Sequence, residues 1–264
     1  MPRVMVVYGA RPEAIKMAPL VLALRAHPRL TPVVAVTGQH REMLDQVNDL
    51  FGIVPEHDLD LMVPGATLAD LGARTLHATA ALLERERPDV VVVQGDTSSA
   101  FVAGLAAFYA GVPVVHLEEG LRTGDLRSPF PEEGNRRLLA PLAALHLAPT
   151  ETSRRNLLAE SVPAAAIAVT GNTVIDALRQ AVTVPARFDD PRVARLVATA
   201  GAGPLLLVTT HRRESWGEPM RQAMAGVREL VARHRDLRVL VPLHRNPVVR
   251  DVVEPMLGPC RRSP

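Results

Sequence analysis

The sequence predicts an α/β protein in which parallel sheets are covered by helices on both faces. Its strand-like runs, such as those at 3–9 and 89–96, are rich in valine and other apolar residues. Such runs are typical of parallel strands that are buried on both faces. Segments with apolar residues at helical spacing lie between the runs, and this alternation builds a parallel sheet. The chain has 264 residues, of which 47% are hydrophobic, so it can bury the core of one or two domains.

The elements of the first part follow one another with short connections. In chain order we predict strand 3–9, helix 12–28, strand 32–38, helix 41–52, helix 67–88, strand 89–96, helix 97–111, strand 112–120, helix 131–143, strand 144–150, helix 152–161, strand 166–172 and helix 173–182. Pro12 suits the first turn of a helix, where no backbone N–H is needed. Gly52 suits the end of the second helix, because glycine adopts the left-handed conformation there.

The pattern lapses after the helix at 173–182 and then restarts. We predict strands at 204–211 and 237–244 and helices at 218–234 and 246–257. The sequence thus predicts an N-terminal Rossmann-like domain at 1–170 and a partial C-terminal Rossmann-like domain at 171–264. A parallel sheet of only two strands is too small to be stable by itself.

Composition excludes several classes of protein. The formal net charge is +2 and the arginines occur in pairs rather than runs, which does not favour a nucleic-acid partner. Cys260 is the single cysteine, so we expect neither a disulfide framework nor a thiol metal site. We see no signal-peptide pattern and no apolar run of about 20 residues, the length that a membrane helix needs. We therefore expect a cytoplasmic protein without a membrane partner.

Lys16 is the only lysine in a chain whose other basic residues are all arginine. Codon bias alone could leave one lysine behind. The alternative is that this position needs the compact, rotatable ammonium of lysine, which binds a phosphate as a point charge, whereas arginine presents a planar fork. The neighbouring motifs have to decide between the two.

Charged and polar side chains collect after the predicted strands, where open parallel sheets bind their ligands. They are Arg11 and Lys16 after the first strand, Gln39 after the second, Asp96 after the third, Glu118 after the fourth, Glu132 and Arg136 in the helix that follows, and His211 and His244 after the two strands of the second domain. Taken singly, each has a structural explanation: an aspartate can cap a helix, and a first-turn glutamate can complement the helix dipole. Their shared placement predicts a ligand cleft.

Several of these stretches resemble one family. The motifs "GARPEAIKMAPL", "GDTSSAFVAGLAAFY", "HLEEGLRTGDLRSPFPEEGNRR" and "TTHRRE" resemble the bacterial non-hydrolysing UDP-N-acetylglucosamine 2-epimerases. The resemblance extends from about Val4 to about Leu257. It implies a GT-B fold, in which two Rossmann-like domains hold a nucleotide sugar between them. It also implies a homodimer and a role in supplying activated sugar for cell-envelope polysaccharide.

The resemblance implies a specific reaction without a cofactor. UDP-N-acetylglucosamine and UDP-N-acetylmannosamine are interconverted by elimination of UDP across C1–C2 and its re-addition. That chemistry requires acid/base groups at C2 and cations for the departing diphosphate. It requires neither a metal ion nor NAD.

The resemblance also implies roles for the residues collected above. The catalytic residues would be Asp96, Glu118, Glu132 and His211, and the substrate-binding residues would be Arg11, Lys16, Asp96, Glu118, Arg136 and His211. Lys16 and Arg11 would contact the diphosphate, and His211 would bind it as it leaves. Gln39 and His244 match positions of a regulatory second substrate site. Which carboxylate is the acid and which is the base stays open.

Among the places where the sequence departs from the family, two stand out. Glu119 stands where the family usually has a small residue, and side-chain alternation predicts that it points away from Glu118. Family members continue well beyond the length of this chain, so we expect a truncated epimerase. Three alternatives stay open at this point: a non-catalytic remnant, a hydrolysing 2-epimerase and a GT-B glycosyltransferase.

Overall fold

The protein divides into two compact units. The computed structural model describes residues 1–38, 41–63, 65–199, 203–210, 216–244 and 246–258. The first unit is Met1–Pro185 and the second is Ala186–Pro264. The helix Thr173–Ala181 is grouped with the first unit because it packs against the helix Arg11–Ala26. The domain limits 1–170 and 171–264 stay a prediction.

The described part of the first unit is built on one parallel sheet. Its strands are β1 (Arg3–Tyr8), β2 (Thr31–Val36), β3 (His57–Asp58), β4 (Val90–Gln94), β5 (Val114–Leu117), β6 (Leu145–Ala148) and β7 (Ile167–Val169). They lie in the order β3-β2-β1-β4-β5-β6-β7, and every pair is parallel. The direction of the strand order changes between β1 and β4. In a doubly wound sheet this is where a crevice opens at the carboxyl ends of the strands.

Helices connect the strands of the first unit. They are α1 (Arg11–Ala26), α2 (Arg41–Leu50), α3 (Leu68–Glu86), α4 (Ser98–Tyr109), α5 (Glu132–Leu139), α6 (Glu151–Ala159) and α7 (Thr173–Ala181). Side-chain caps fix several of their starts: Thr67 accepts from the backbone N–H of Asp70 at α3, and Asp70 bonds back to Thr67. The predicted elements are confirmed, but the two-residue strand β3 was not predicted because it contains no apolar run.

The core of the first unit lies on both faces of the sheet. Along β1, Val6 and Tyr8 pack on the face covered by Met17 of α1. The alternate residues Met5 and Val7 belong to the cluster on the opposite face. This pattern confirms that the strands are buried on both faces. The packing on both faces holds β1 and β4, and with them the carboxyl ends of these strands.

The described part of the second unit is smaller. Strands β8 (Leu205–Leu207) and β9 (Arg238–Leu240) form a parallel pair, with helices α8 (Pro191–Ala198), α9 (Glu218–Arg233) and α10 (Pro247–Leu257). Met224 of α9 and Val249 of α10 are fully buried in its core. Helix α8 was not predicted, although Asp190 accepts from the backbone N–H of Arg192 at 2.8 Å and Pro191 opens the helix.

Within the residues that the structure describes, we find no helix whose length and hydropathy would let it span a bilayer.

Gly120, two residues after Glu118, carries a stability prediction. Its φ is +96°, and a Cβ built there would lie 2.3 Å from the carbonyl oxygen of Ser153. We expect Gly120→Ala to lower the free energy of unfolding by about 2–4 kcal/mol, because the new methyl group meets backbone and the φ is unfavourable for alanine. Urea denaturation measures this. Gly134→Ala is the matched control, since nothing lies within 4 Å of its Cβ position. A loss no larger than that of the control would contradict the prediction.

Candidate active site

Glu118 lies at the centre of the carboxyl edge of the first sheet. It directly follows β5 and has a φ of +61°, in the left-handed region that side chains other than glycine rarely adopt. Lys16 and Gln94 donate to its Oε2 atom, and Asn172 Nδ2 donates to Oε1 at 2.7 Å. These donors come from α1, from the end of β4 and from the start of α7. Strain of this kind persists where the surroundings fix the residue, and it clusters at functional sites.

Asp96 follows β4 and faces Arg136. Arg136 Nη2 lies 3.2 Å from Asp96 Oδ2. Burial raises the pKa of Asp96, the attraction of Arg136 opposes the rise, and the negative charge of Glu132 adds to it. Asp96 does not cap the next helix, because Thr97 accepts from the backbone N–H of Ala100 at the start of α4. Its carboxylate is therefore a candidate for acid/base chemistry.

The two glutamates that open α5 have different surroundings. Glu132 is partly exposed, and its charge acts on Asp96. Glu133 is fully buried and accepts from the backbone N–H groups of Thr123 and Gly124 at 3.1 and 3.2 Å. Glu133 thus holds the loop that follows Glu118, whereas Glu132 lies within electrostatic reach of the Asp96 carboxylate.

Two of the basic residues of α1, Arg11 and Lys16, lie at the same edge. Arg11 is exposed as the first residue of the helix. Lys16 forms an ion pair with Glu118, and its side chain is 24% exposed. An ammonium carries three donors, so the Lys16 side chain retains donors for a further oxygen atom beside Glu118.

Sequence reasoning missed Glu13, which joins two of these loops. Its buried carboxylate accepts from the backbone N–H groups of Gly9 and Ala10 at 2.9 and 2.6 Å, and from Thr97 Oγ1 at 2.7 Å. Burial raises the pKa of Glu13 although these hydrogen bonds lower it. Glu13 ties the β1–α1 turn to the residue that follows Asp96. Its place at the start of a helix, after a strand-end glycine, was the available signal.

Gln94 and Asn172 were missed as well. Gln94 is the last residue of β4, and Asn172 caps α7 by accepting from the backbone N–H of Val174 at 3.0 Å. An apolar strand ending in glutamine and an asparagine before a helix both have ordinary local explanations, so neither pattern signals a contact with Glu118.

The structure brings together six of the residues that the sequence singled out. Arg11, Lys16, Asp96, Glu118, Glu132 and Arg136 lie at the carboxyl edge of the first sheet. His244 is exposed in the second unit, where its Nδ1 accepts from the backbone N–H of Asn246 at 3.1 Å. Gln39 and His211 lie outside the described residues. Among the described residues, no three His, Cys, Asp or Glu side chains form a group that could hold a metal ion.

The sheet order and its charged carboxyl edge define a Rossmann-like α/β protein, and proteins of this class bind their ligands at the switch point of the sheet. The family model for UDP-N-acetylglucosamine 2-epimerase matches residues 22–263. The chain belongs to the UDP-N-acetylglucosamine 2-epimerase family.

Individual relatives agree with this assignment. The UDP-N-acetylglucosamine 2-epimerase of Escherichia coli (strain K12) is 47% identical over 259 residues, which cover 97% of this chain and 69% of the relative. The crystal structure of UDP-GlcNAc 2-epimerase from Neisseria meningitidis bound to UDP-GlcNAc is 42% identical with a TM-score of 0.84, and the match covers 97% of this chain and 70% of that one. The S. aureus MnaA–UDP co-structure is 43% identical with a TM-score of 0.84, over 99% and 68% of the two chains.

These relatives confirm the predicted fold class and the family resemblance. The chain is an α/β protein of the GT-B type, with a parallel sheet in each unit. It spans about 69% of the length of the E. coli relative.

Proposed function

We propose that this protein interconverts UDP-N-acetylglucosamine and UDP-N-acetylmannosamine by inversion at C2. The observation that carries the proposal is the gathering of Asp96, Glu118 and Glu132 with Lys16 and Arg136 at one sheet edge. The family membership supports it, since a relative of known structure is bound to UDP-GlcNAc. The alternative functions are not favoured, because the matched relatives are named as 2-epimerases.

The carboxylates supply the proton transfers. One of them removes the C2 proton, the C–H electron pair forms the C1=C2 double bond, and the C1–O bond breaks so that its electrons leave with UDP. Re-addition of UDP at C1, with a proton delivered to the opposite face of C2, completes the inversion. Asp96 suits such a step, since a raised pKa brings an aspartate nearer to the pH at which it both gives and takes a proton. The choice of acid and base stays open among Asp96, Glu118 and Glu132.

The basic residues balance the charge of the leaving diphosphate. Lys16 and Arg11 lie on α1, and Lys16 already contacts the Glu118 carboxylate. We assign these two residues to the diphosphate and Arg136 to orienting Asp96 beside the substrate. Fixed cations of this kind stabilise charge as it develops on a leaving group. The assignment of His211, which lies outside the described residues, to the diphosphate rests on the sequence resemblance. The assignment of Gln39 and His244 to a second, regulatory substrate site rests on the sequence resemblance.

Lys16→Arg tests the phosphate role of the single lysine. We expect about a tenfold or larger rise in KM for the nucleotide sugar, because a planar guanidinium cannot occupy the place of a compact ammonium beside Glu118. Steady-state kinetics with UDP-N-acetylglucosamine measure it, with Arg29→Lys on the exposed loop after α1 as the control. Unchanged kinetics in Lys16→Arg would mean that codon bias explains the single lysine and that its ammonium has no special role.

The test of the function is isotope entry at C2. The 264-residue chain is incubated with UDP-N-acetylglucosamine in deuterated water, and the products are analysed by NMR and mass spectrometry. We expect UDP-N-acetylmannosamine with deuterium at C2, and deuterium in the recovered substrate. Release of free N-acetylmannosamine would indicate a hydrolysing enzyme. Absence of deuterium from C2 would exclude the elimination mechanism and favour a glycosyltransferase or a non-catalytic remnant.

We also propose that the protein forms a homodimer, that it is cytoplasmic and that it supplies activated sugar for cell-envelope polysaccharide.

A further inference from the structure

Glu119 is a buried carboxylate that the proposed chemistry does not use. Its side chain is 1% exposed, and it contacts partners different from those of the adjacent Glu118. Its Oε2 lies 2.9 Å from Nδ1 of His116, and its Oε1 accepts from Arg122 Nη2 at 2.8 Å. The two neighbouring glutamates therefore point in different directions, as side-chain alternation predicts.

His116 connects Glu119 to the strand end that carries Asp96. The imidazole is fully buried on β5, and its Nε2 lies 2.6 Å from the carbonyl oxygen of Gly95. A carbonyl oxygen only accepts, so Nε2 carries the proton and donates it to this bond. Nδ1 faces the Glu119 carboxylate at 2.9 Å without the alignment of a hydrogen bond. The ring thus lies between Glu119 and the peptide that precedes Asp96.

Arg122 fixes the other side of Glu119. Its Nε and Nη2 donate to the two carboxylate oxygens of Glu160 at 2.9 and 2.8 Å, a bidentate pair. Burial acts to raise the pKa of Glu119, but the attraction of His116 and Arg122 outweighs it and holds that pKa below its usual range. Glu119 is therefore an ionised carboxylate held between two cationic or polar partners.

The same loop reaches Asp96 by a second route. The carbonyl oxygen of Leu121 accepts from Arg136 Nη1 at 3.4 Å, and Arg136 pairs with Asp96. The segment that carries Glu119 is thus linked to Asp96 in two ways. His116 bonds to the carbonyl oxygen of Gly95, and Leu121 accepts from Arg136, which pairs with the Asp96 carboxylate. Glu119 contacts the partner in each link: His116, which makes the first, and Arg122, whose Nη1 donates to the same Leu121 carbonyl oxygen at 2.7 Å.

We propose that Glu119 is a positioning residue, which acts through His116 and the Leu121 carbonyl to set the place of Asp96. Asp96 is the group that it positions, and Glu119 itself contacts no substrate. The kinetic part of this inference rests on the proposed function. The structural part, that Glu119 holds the Gly95–Asp96 segment in place, is independent of it.

The experiment compares Glu119→Gln with Glu160→Gln. Both variants remove one carboxylate from Arg122, but only the first removes the charge that faces His116. The first measurement is backbone hydrogen exchange in the segment 93–97, which does not depend on turnover. We expect exchange there to be about tenfold faster in Glu119→Gln and unchanged in Glu160→Gln, since a lost anchor lowers the local cost of opening. Unchanged exchange in Glu119→Gln, or equal effects of the two substitutions, would overturn the proposal.

Kinetics provide the second readout. We expect Glu119→Gln to lower kcat about tenfold and to leave KM within about threefold. In the Asp96→Asn background we expect the same substitution to change kcat less than about twofold. A residue that acts through Asp96 has no further effect once the Asp96 carboxylate is removed. Equal losses in the two backgrounds would mean that Glu119 stabilises the fold generally. If the unsubstituted chain shows no turnover, the proposed function fails, and hydrogen exchange still decides the positioning role.

Discussion

Asp96→Asn is expected to lower kcat for C2 epimerisation by about 10²- to 10⁴-fold, the usual contribution of a positioned acid/base group. Asparagine keeps the shape of the side chain beside Arg136 but neither takes nor gives the proton. The conversion of UDP-N-acetylglucosamine, followed by NMR, measures the loss. Asp49→Asn on the exposed face of α2 is the control and should leave kcat unchanged. A kcat within a few-fold of the unsubstituted protein would remove Asp96 from the mechanism.

The same substitution is expected to leave the fold as stable as before or more stable at neutral pH. Burial raises the pKa of Asp96 in the folded state above its unfolded value. A group shifted in this direction contributes stability below its unfolded pKa, and that contribution is lost as the pH rises through the folded pKa. At pH 7 the ionised Asp96 therefore costs stability, which asparagine avoids. Urea denaturation at pH 7 separates this outcome from an activity loss caused by unfolding.

The dependence of kcat/KM on pH in the unsubstituted protein provides a second test of the role of Asp96. Because burial raises the pKa of Asp96, the limb of the kcat/KM profile that it controls lies above the usual range of an aspartate. That limb should disappear in Asp96→Asn and persist in the Asp49→Asn control.

Much of the fold follows from local pattern. The valine-rich strands and the helices between them are visible because both faces of a parallel strand are buried, so β1 and β4 stand out from their surroundings. Strand β3 has two residues, which are too few to set a period, whereas helix α8 was missed although Val193, Leu196 and Val197 stand at helical spacing. Tertiary pairing creates β3, whose register is set against β2.

The site was predictable where chemistry is local and unpredictable where it depends on contacts between loops. Asp96, Glu118 and Lys16 each follow a strand, so the topology alone brings them to one edge. Asn172 is 54 residues from Glu118 in the sequence, and only the folded sheet shows that they meet. Glu13 is similar, because its bond to Thr97 crosses 84 residues.

The charged edge works as one arrangement rather than as separate residues. Glu118 pairs with Lys16, and Arg136 pairs with Asp96. The charges of Lys16, Glu118 and Arg136 all act on the Asp96 carboxylate. Opposite charges at close range keep each group oriented, while burial keeps the electrostatic interactions strong. A substitution in this group therefore changes both the chemistry and the electrostatic balance of its neighbours.

Glu118→Gln is expected to be the most damaging single change at this edge for activity and stability together. A carboxylate accepts at both oxygens, and here Lys16, Gln94 and Asn172 all donate to it. Glutamine has one amide NH₂ group, which would face a donor wherever it is placed, so at least one of these three donors loses its acceptor. The ammonium of Lys16 also loses its counter-charge. We expect the free energy of unfolding to fall by about 2–4 kcal/mol and kcat to fall by about 100-fold or more.

Urea denaturation and the C2 deuterium assay measure the two effects separately. Glu151→Gln is the control, because its side chain is 70% exposed and lies 3.7 Å from Arg154 on the same helix. Exposed pairs of this kind contribute about 0–1 kcal/mol, so the control should be nearly silent in both assays. If Glu118→Gln kept its stability but lost activity, the three donors would be aligning the carboxylate for proton transfer without stabilising the fold. If it lost stability but kept activity, Glu118 would be a structural clamp, and the acid and base would have to be Asp96 and Glu132.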